Sequence, residues 1–87
     1  MKVSTNALIV ALRAVCHEQS ELEAILQNEQ EEDSVLEEAG YNLTDLQEAL
    51  AYLVETYEQR RGEDPSLSPA SRLIEAFSAE RVVRRYG

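Results

Sequence analysis

The sequence predicts an all-α protein, a small three- or four-helix bundle built on a helical hairpin, with a C-terminal helix after a short linker. Three observations carry that expectation. No Gly or Pro interrupts the first 39 residues, apolar residues recur at alternating spacings of three and four, and serine or threonine caps precede the periodic runs. The expected organisation is a single helical domain over 1–87, with the hairpin at about 5–61, a linker at 62–68 and the last helix at about 69–85.

The first helix is expected to start near Ser4 or Thr5. Leu8, Leu12, Val15, Gln19, Leu22 and Leu26 then lie along one stripe, broken only by Gln19. Ser20 followed by Glu23 is a capping-box pattern, so the stripe is compatible with one rod or with a second start at Ser20. The segment 27–33 (QNEQEED) has no apolar residue and reads as a solvated helical turn or a loop. Asp33 or Ser34 can cap a short helix bearing Val35, Leu36 and Ala39, which Gly40 would end as a left-handed C′ residue.

The next helix is expected at 44–61, with the hairpin bend across 40–44. Thr44 with Gln47 forms a capping box, and Leu46, Leu50, Leu53 and Tyr57 repeat at four, three and four. Arg60 and Arg61 suit the negative end of its dipole, and Gly62 can close it. After the linker-like GEDPSLS, Ser68 as N-cap with Pro69 at the first helical position marks a new start. Ala70, Leu73, Ile74 and Phe77 form its apolar face, while Ser78 can cap a further short turn. The expected core comprises Leu8, Leu12, Val15, Leu22, Leu46, Leu50, Leu53 and Phe77.

Charge narrows the function classes. Eight Lys and Arg face seventeen Asp and Glu, a formal net charge of −9, which disfavours direct binding to a nucleic-acid backbone. Between Ala14 and Gln59 there are thirteen acidic residues and no Lys or Arg. The single cysteine, Cys16, excludes an intrachain disulfide, and Arg13 ends the apolar run from Ala7 after six residues, too soon for a membrane span. A cytoplasmic protein without membrane association is expected.

No catalytic, cofactor or metal residues are assigned. Cys16 and His17 are consecutive and point in different directions on a helix, so they make no ready ligand pair or nucleophile and base. The acidic run around Glu29, Glu31, Glu32 and Asp33 lacks the glycine of a calcium loop. Glycine-rich phosphate loops and zinc spacings are absent from the sequence. By contrast, Leu8, Ile9, Val10, Ala11 and Leu12 are five successive apolar residues that cover more than one helix face. Leu8, Ile9 and Val10 are therefore the first candidates for partner contact, and Arg81, Arg84 and Arg85 the second.

The stretches ALIVALRAV, SELEAIL and EEAGYNLTDLQEA, within 7–49, resemble the leader-peptide family associated with nitrogen-fixation operons and natural-product biosynthesis. The resemblance covers about half the chain and implies a helical recognition module. No Gly-Gly or Gly-Ala cleavage pair and no Cys- or Ser-rich product peptide follows Leu50, so it implies a kept fold with a changed task. The expected function is an acidic interaction module, an adaptor, chaperone-like partner or regulator, working with a protein partner, a second copy of itself, or both. No small-molecule substrate is expected. The alternative is an acidic DNA mimic or phage-type inhibitor that occupies a nucleic-acid-binding protein through Glu29 to Glu38.

Overall fold

The computed structural model describes residues 3–80. They form three helices, α1 (Thr5–Leu26), α2 (Asp33–Glu63) and α3 (Ala70–Ala79), with no strand among the described residues. The fold class is all-α, as the periodicity predicts. α1 and α2 make an antiparallel hairpin, and α3 folds back onto one side of it. The 31-residue α2 sets the length of the molecule: at about 1.5 Å per residue it spans roughly 46 Å, matching the long extent of 47 Å. The radius of gyration, 15.0 Å, exceeds the roughly 12 Å of a compact chain of this length.

α1 begins where expected. Ser4 is extended at φ −67° and ψ 154°, and its hydroxyl accepts from the Ala7 amide at 3.1 Å. Ser20 starts no second helix: its hydroxyl donates to the Cys16 carbonyl at 3.1 Å, and the rod runs unbroken to Leu26. The bend is at 27–32, where the Asn28 side chain accepts from the Gln30 amide at 3.1 Å and holds an Asx turn. This polar segment has nothing to bury, so the hairpin turns there without losing core.

The expected bend across 40–44 is therefore corrected, as is the helix start at Thr44. α2 passes straight through both positions, and Gly40 has no positive φ. The reason lies in spacing: Leu36, Ala39, Leu43, Leu46, Leu50, Leu53 and Tyr57 form an unbroken three-and-four row that only a continuous helix can lay along α1. A mid-helix glycine costs about 1 kcal/mol, less than the apolar surface that a break would strand. Thr44 donates its hydroxyl to the Gly40 carbonyl at 3.1 Å, as a helix-interior threonine does. Gly40→Ala is accordingly expected to stabilise the protein by about 0.5–1 kcal/mol, because a Cβ there meets nothing within 4 Å. A left-handed terminator would give a loss instead, and urea denaturation distinguishes the two signs.

Two further boundaries move. Gly62 lies inside the last turn of α2, and Asp64 is the C-cap, its amide reaching the Arg60 and Arg61 carbonyls. Ser68 is not the N-cap of α3. Pro69 holds that place at φ −57° and ψ 144°, while the Ser68 carbonyl accepts from Tyr57 instead. α3 ends at Ala79, with Glu80 extended at ψ 136°; the part of the expected last helix from 81 to 85 lies outside the described residues.

The buried residues are Leu8, Leu12, Cys16, Leu22, Ala39, Tyr57 and Ala70. Leu12, Tyr57 and Ala70 are the centre where the three helices meet, with Ile9, Leu50, Leu53, Val54, Leu67, Leu73 and Phe77 packed around them. Of the expected core, Leu8, Leu12 and Leu22 are buried, whereas Val15, Leu46, Leu50, Leu53 and Phe77 are half-buried. Cys16 is buried in preference to Val15 because α3 lies against its flank of α1, where Ser78 reaches the thiol. Among the described residues no helix is long and apolar enough to cross a membrane.

Candidate functional site

The connection into α3 is organised by three neighbours at the C-terminal end of α2. The Tyr57 hydroxyl donates to the Ser68 carbonyl at 2.6 Å. Glu58 accepts from the Ala70 amide at 2.9 Å, satisfying a free N–H of α3, and its other oxygen takes Arg61 at 2.9 Å. Arg61 in turn donates to the Leu67 carbonyl at 3.3 Å. These contacts anchor the start of α3; its end is anchored to α1 through Glu80, which accepts from Arg13 at 2.7 and 3.0 Å. His17 Nε2 lies 3.2 Å from the same Glu80 oxygen.

These groups behave as structural fasteners. The Ala70 amide, and then Arg61, hold the Glu58 carboxyl below its usual value of 4.5. Arg13 does the same for Glu80. A carboxylate with a lowered folded pKa contributes its stabilisation above the unfolded value and loses it as pH falls through the folded one. Docking of α3 is therefore expected to hold through neutral pH and to weaken in acid, below about pH 4.5. Thermal melts of the protein and of Glu58→Gln across that range check this: the variant should show the smaller acid loss, and equal losses would refute the assignment.

Burial pushes the Cys16 thiol up, against a lowering hydrogen bond from Ser78, and the side chain is packed in the interior. Among the described residues no group of three or more His, Cys, Asp or Glu is placed to hold a metal ion.

The residues singled out for partner contact separate in space. Leu8 is buried, and Ile9 packs half-buried against the central cluster, so both belong to the fold's own interior. Val10 is 66% exposed. It lies in an outward row on α1 with Ala7 and Ala14, both exposed and spaced at three and four from it. Arg81, Arg84 and Arg85 lie outside the described residues.

A second surface went unread in the sequence. α3 touches α1 along Arg13, Cys16 and His17. On roughly the opposite side of α1, Glu18 and Leu22 face Asn42, Asp45, Leu46 and Ala49 of α2 across an open trough of about 420 Å³. Its floor is apolar, from Leu22, Leu46 and Ala49, and exposed Glu18 and Asp45 stand at its rims. The trough exists only once two helices are in register, which no single-helix pattern reveals. Elsewhere on α2, Tyr41 and Tyr52 are 66% and 69% exposed on an outward face that also carries Glu37, Glu48 and Glu55.

Comparison with protein-family models, curated proteins and solved structures finds no match to this chain.

Proposed function

We propose that this chain is a non-catalytic protein–protein interaction module, an adaptor, chaperone-like partner or regulator acting in the cytoplasm. One observation supports it above the others. α3 covers one side of the α1–α2 hairpin, while the other side keeps a trough with an apolar floor open to solvent. A small molecule in a typical pocket has most of its surface buried, which an open trough does not provide.

The test is recovery of the tagged full chain from its native host, with mass measurement of the intact complex. One protein at fixed stoichiometry supports the reading; a lone monomer at every concentration, with no stoichiometric partner, defeats it. Self-association through the α1 row is read in the same experiment with Val10→Lys, which leaves the core untouched. Ile9 is unsuitable as a probe because changing it also damages the central cluster.

An acidic mimic of DNA has weaker support. Glu29 to Glu38 are spread around the bend and the first turns of α2, not along one rigid line. That reading would require binding that collapses with added salt.

A further inference from the structure

We infer that the trough between α1 and α2, on the side away from α3, receives a basic amphipathic helix from a partner protein. This deepens the interaction-module reading and rests on it. The shape argues for a helix. Two antiparallel helices form the walls, the same geometry that α3 exploits on the other side, and a fourth helix there completes a bundle. The floor residues Leu22, Leu46 and Ala49 offer apolar contact to side chains at positions i, i+3, i+4 and i+7 of such a segment.

The charge argues for a cationic one. Glu18 and Asp45 stand exposed at opposite rims of the trough, and the chain has thirteen acidic residues and no Lys or Arg between Ala14 and Gln59. Lys or Arg flanking the apolar row of the incoming helix would meet carboxylates on both sides, whereas an acidic helix would meet only repulsion. A second copy is the poorer occupant. Symmetric pairing of two troughs brings the Glu18 and Asp45 rims of one protomer against those of the other.

The test uses the full chain and a synthetic helical peptide about five turns long, with leucines along one face and Lys and Arg elsewhere. A second peptide has the same composition with the leucines scattered around the helix. The first peptide is expected to bind one to one, with amide shifts centred on Leu22, Asp45, Leu46 and Ala49. The scattered peptide should bind about tenfold more weakly or worse, a difference of about 1.4 kcal/mol or more.

Glu18→Lys with Asp45→Lys should weaken the first peptide by at least about tenfold, and Ala49→Arg, which obstructs the floor from an exposed position, should do the same. All three positions lie outside the buried core, and unchanged helicity of each variant confirms that its fold is intact.

Equal binding of both peptides, or shifts spread over the whole acidic surface, would mean attraction to a polyanion only and would overturn the proposal. So would absence of binding, or dimers of the pure chain that Ala49→Arg dissociates. If the peptide fails while a host partner still co-purifies with Ala49→Arg, the trough is wrong and the module reading stands. If neither binds, both fail.

Discussion

Replacing Tyr57 by Ala is expected to cost about 3–5 kcal/mol of stability, the range for removing a large aromatic side chain from a core. Tyr57 is only 1% exposed and sits with Leu12 and Ala70 where the three helices meet. Its ring fills that junction, and its hydroxyl ends at the Ser68 carbonyl, so truncation removes packing and a fastener of the α2–α3 connection together. Domains have only about 5–15 kcal/mol in total, and a chain this small is expected near the lower end. The variant should therefore be largely unfolded at moderate urea concentrations that the parent withstands. Tyr57→Phe separates the two contributions: it keeps the ring and should lose about 1 kcal/mol. A denaturation midpoint for Tyr57→Ala close to that of the parent would show that the junction is not the centre of the fold.

Leu12→Ala is the second large effect, about 2–5 kcal/mol. Leu12 has no exposed surface, so the cavity left behind is enclosed by all three helices and cannot fill with solvent. Leu22 is also buried but borders the open trough. Leu22→Ala should fall at or below the lower end of the range, because the neighbouring trough allows relaxation and water entry. Urea titrations of the two variants side by side check the order; a larger loss at Leu22 would contradict this placement of the core.

The helices were legible to the extent that their signals are local. The start near Ser4 or Thr5 and the row from Leu8 to Leu26 match α1 at both ends, and of the two readings left open for QNEQEED, helical turn or loop, the loop is the one found. At Gly40 and Thr44, two local signals misled because a glycine and a capping-box pattern mean a boundary only when nothing larger opposes them. The opposing signal was present in Leu36, Ala39 and Leu43, which extend the Leu46–Tyr57 row at the same spacing. Read as one row, they predict α2 without a break.

The α3 junction was not legible in that way. Glu58 resembles any surface carboxylate in sequence, and only the return of the chain brings the Ala70 amide to it. Of the site candidates, Val10 is exposed and Leu8 and Ile9 are interior. Five consecutive apolar residues show that a helix has more than one apolar face, not which face its neighbours cover. Here α2 and α3 together cover two flanks of α1 and leave the third, bearing Val10, open.

The unequal reach of the three helices makes the molecule a bar with one firm end and one lightly held end. α3 stops at the level of Arg13 and His17, so among the described residues the halves of α1 and α2 nearest the bend form a two-helix layer, in which Leu22 and Ala39 are the buried side chains. Few buried contacts mean a small free energy of local opening, so amide hydrogen exchange is expected to be faster at this end than around Leu12 and Tyr57. The trough lies on the lightly held half. A partner helix seated there, as proposed, would hold that half closed by its own binding free energy, so its binding is expected to slow amide exchange first near the bend.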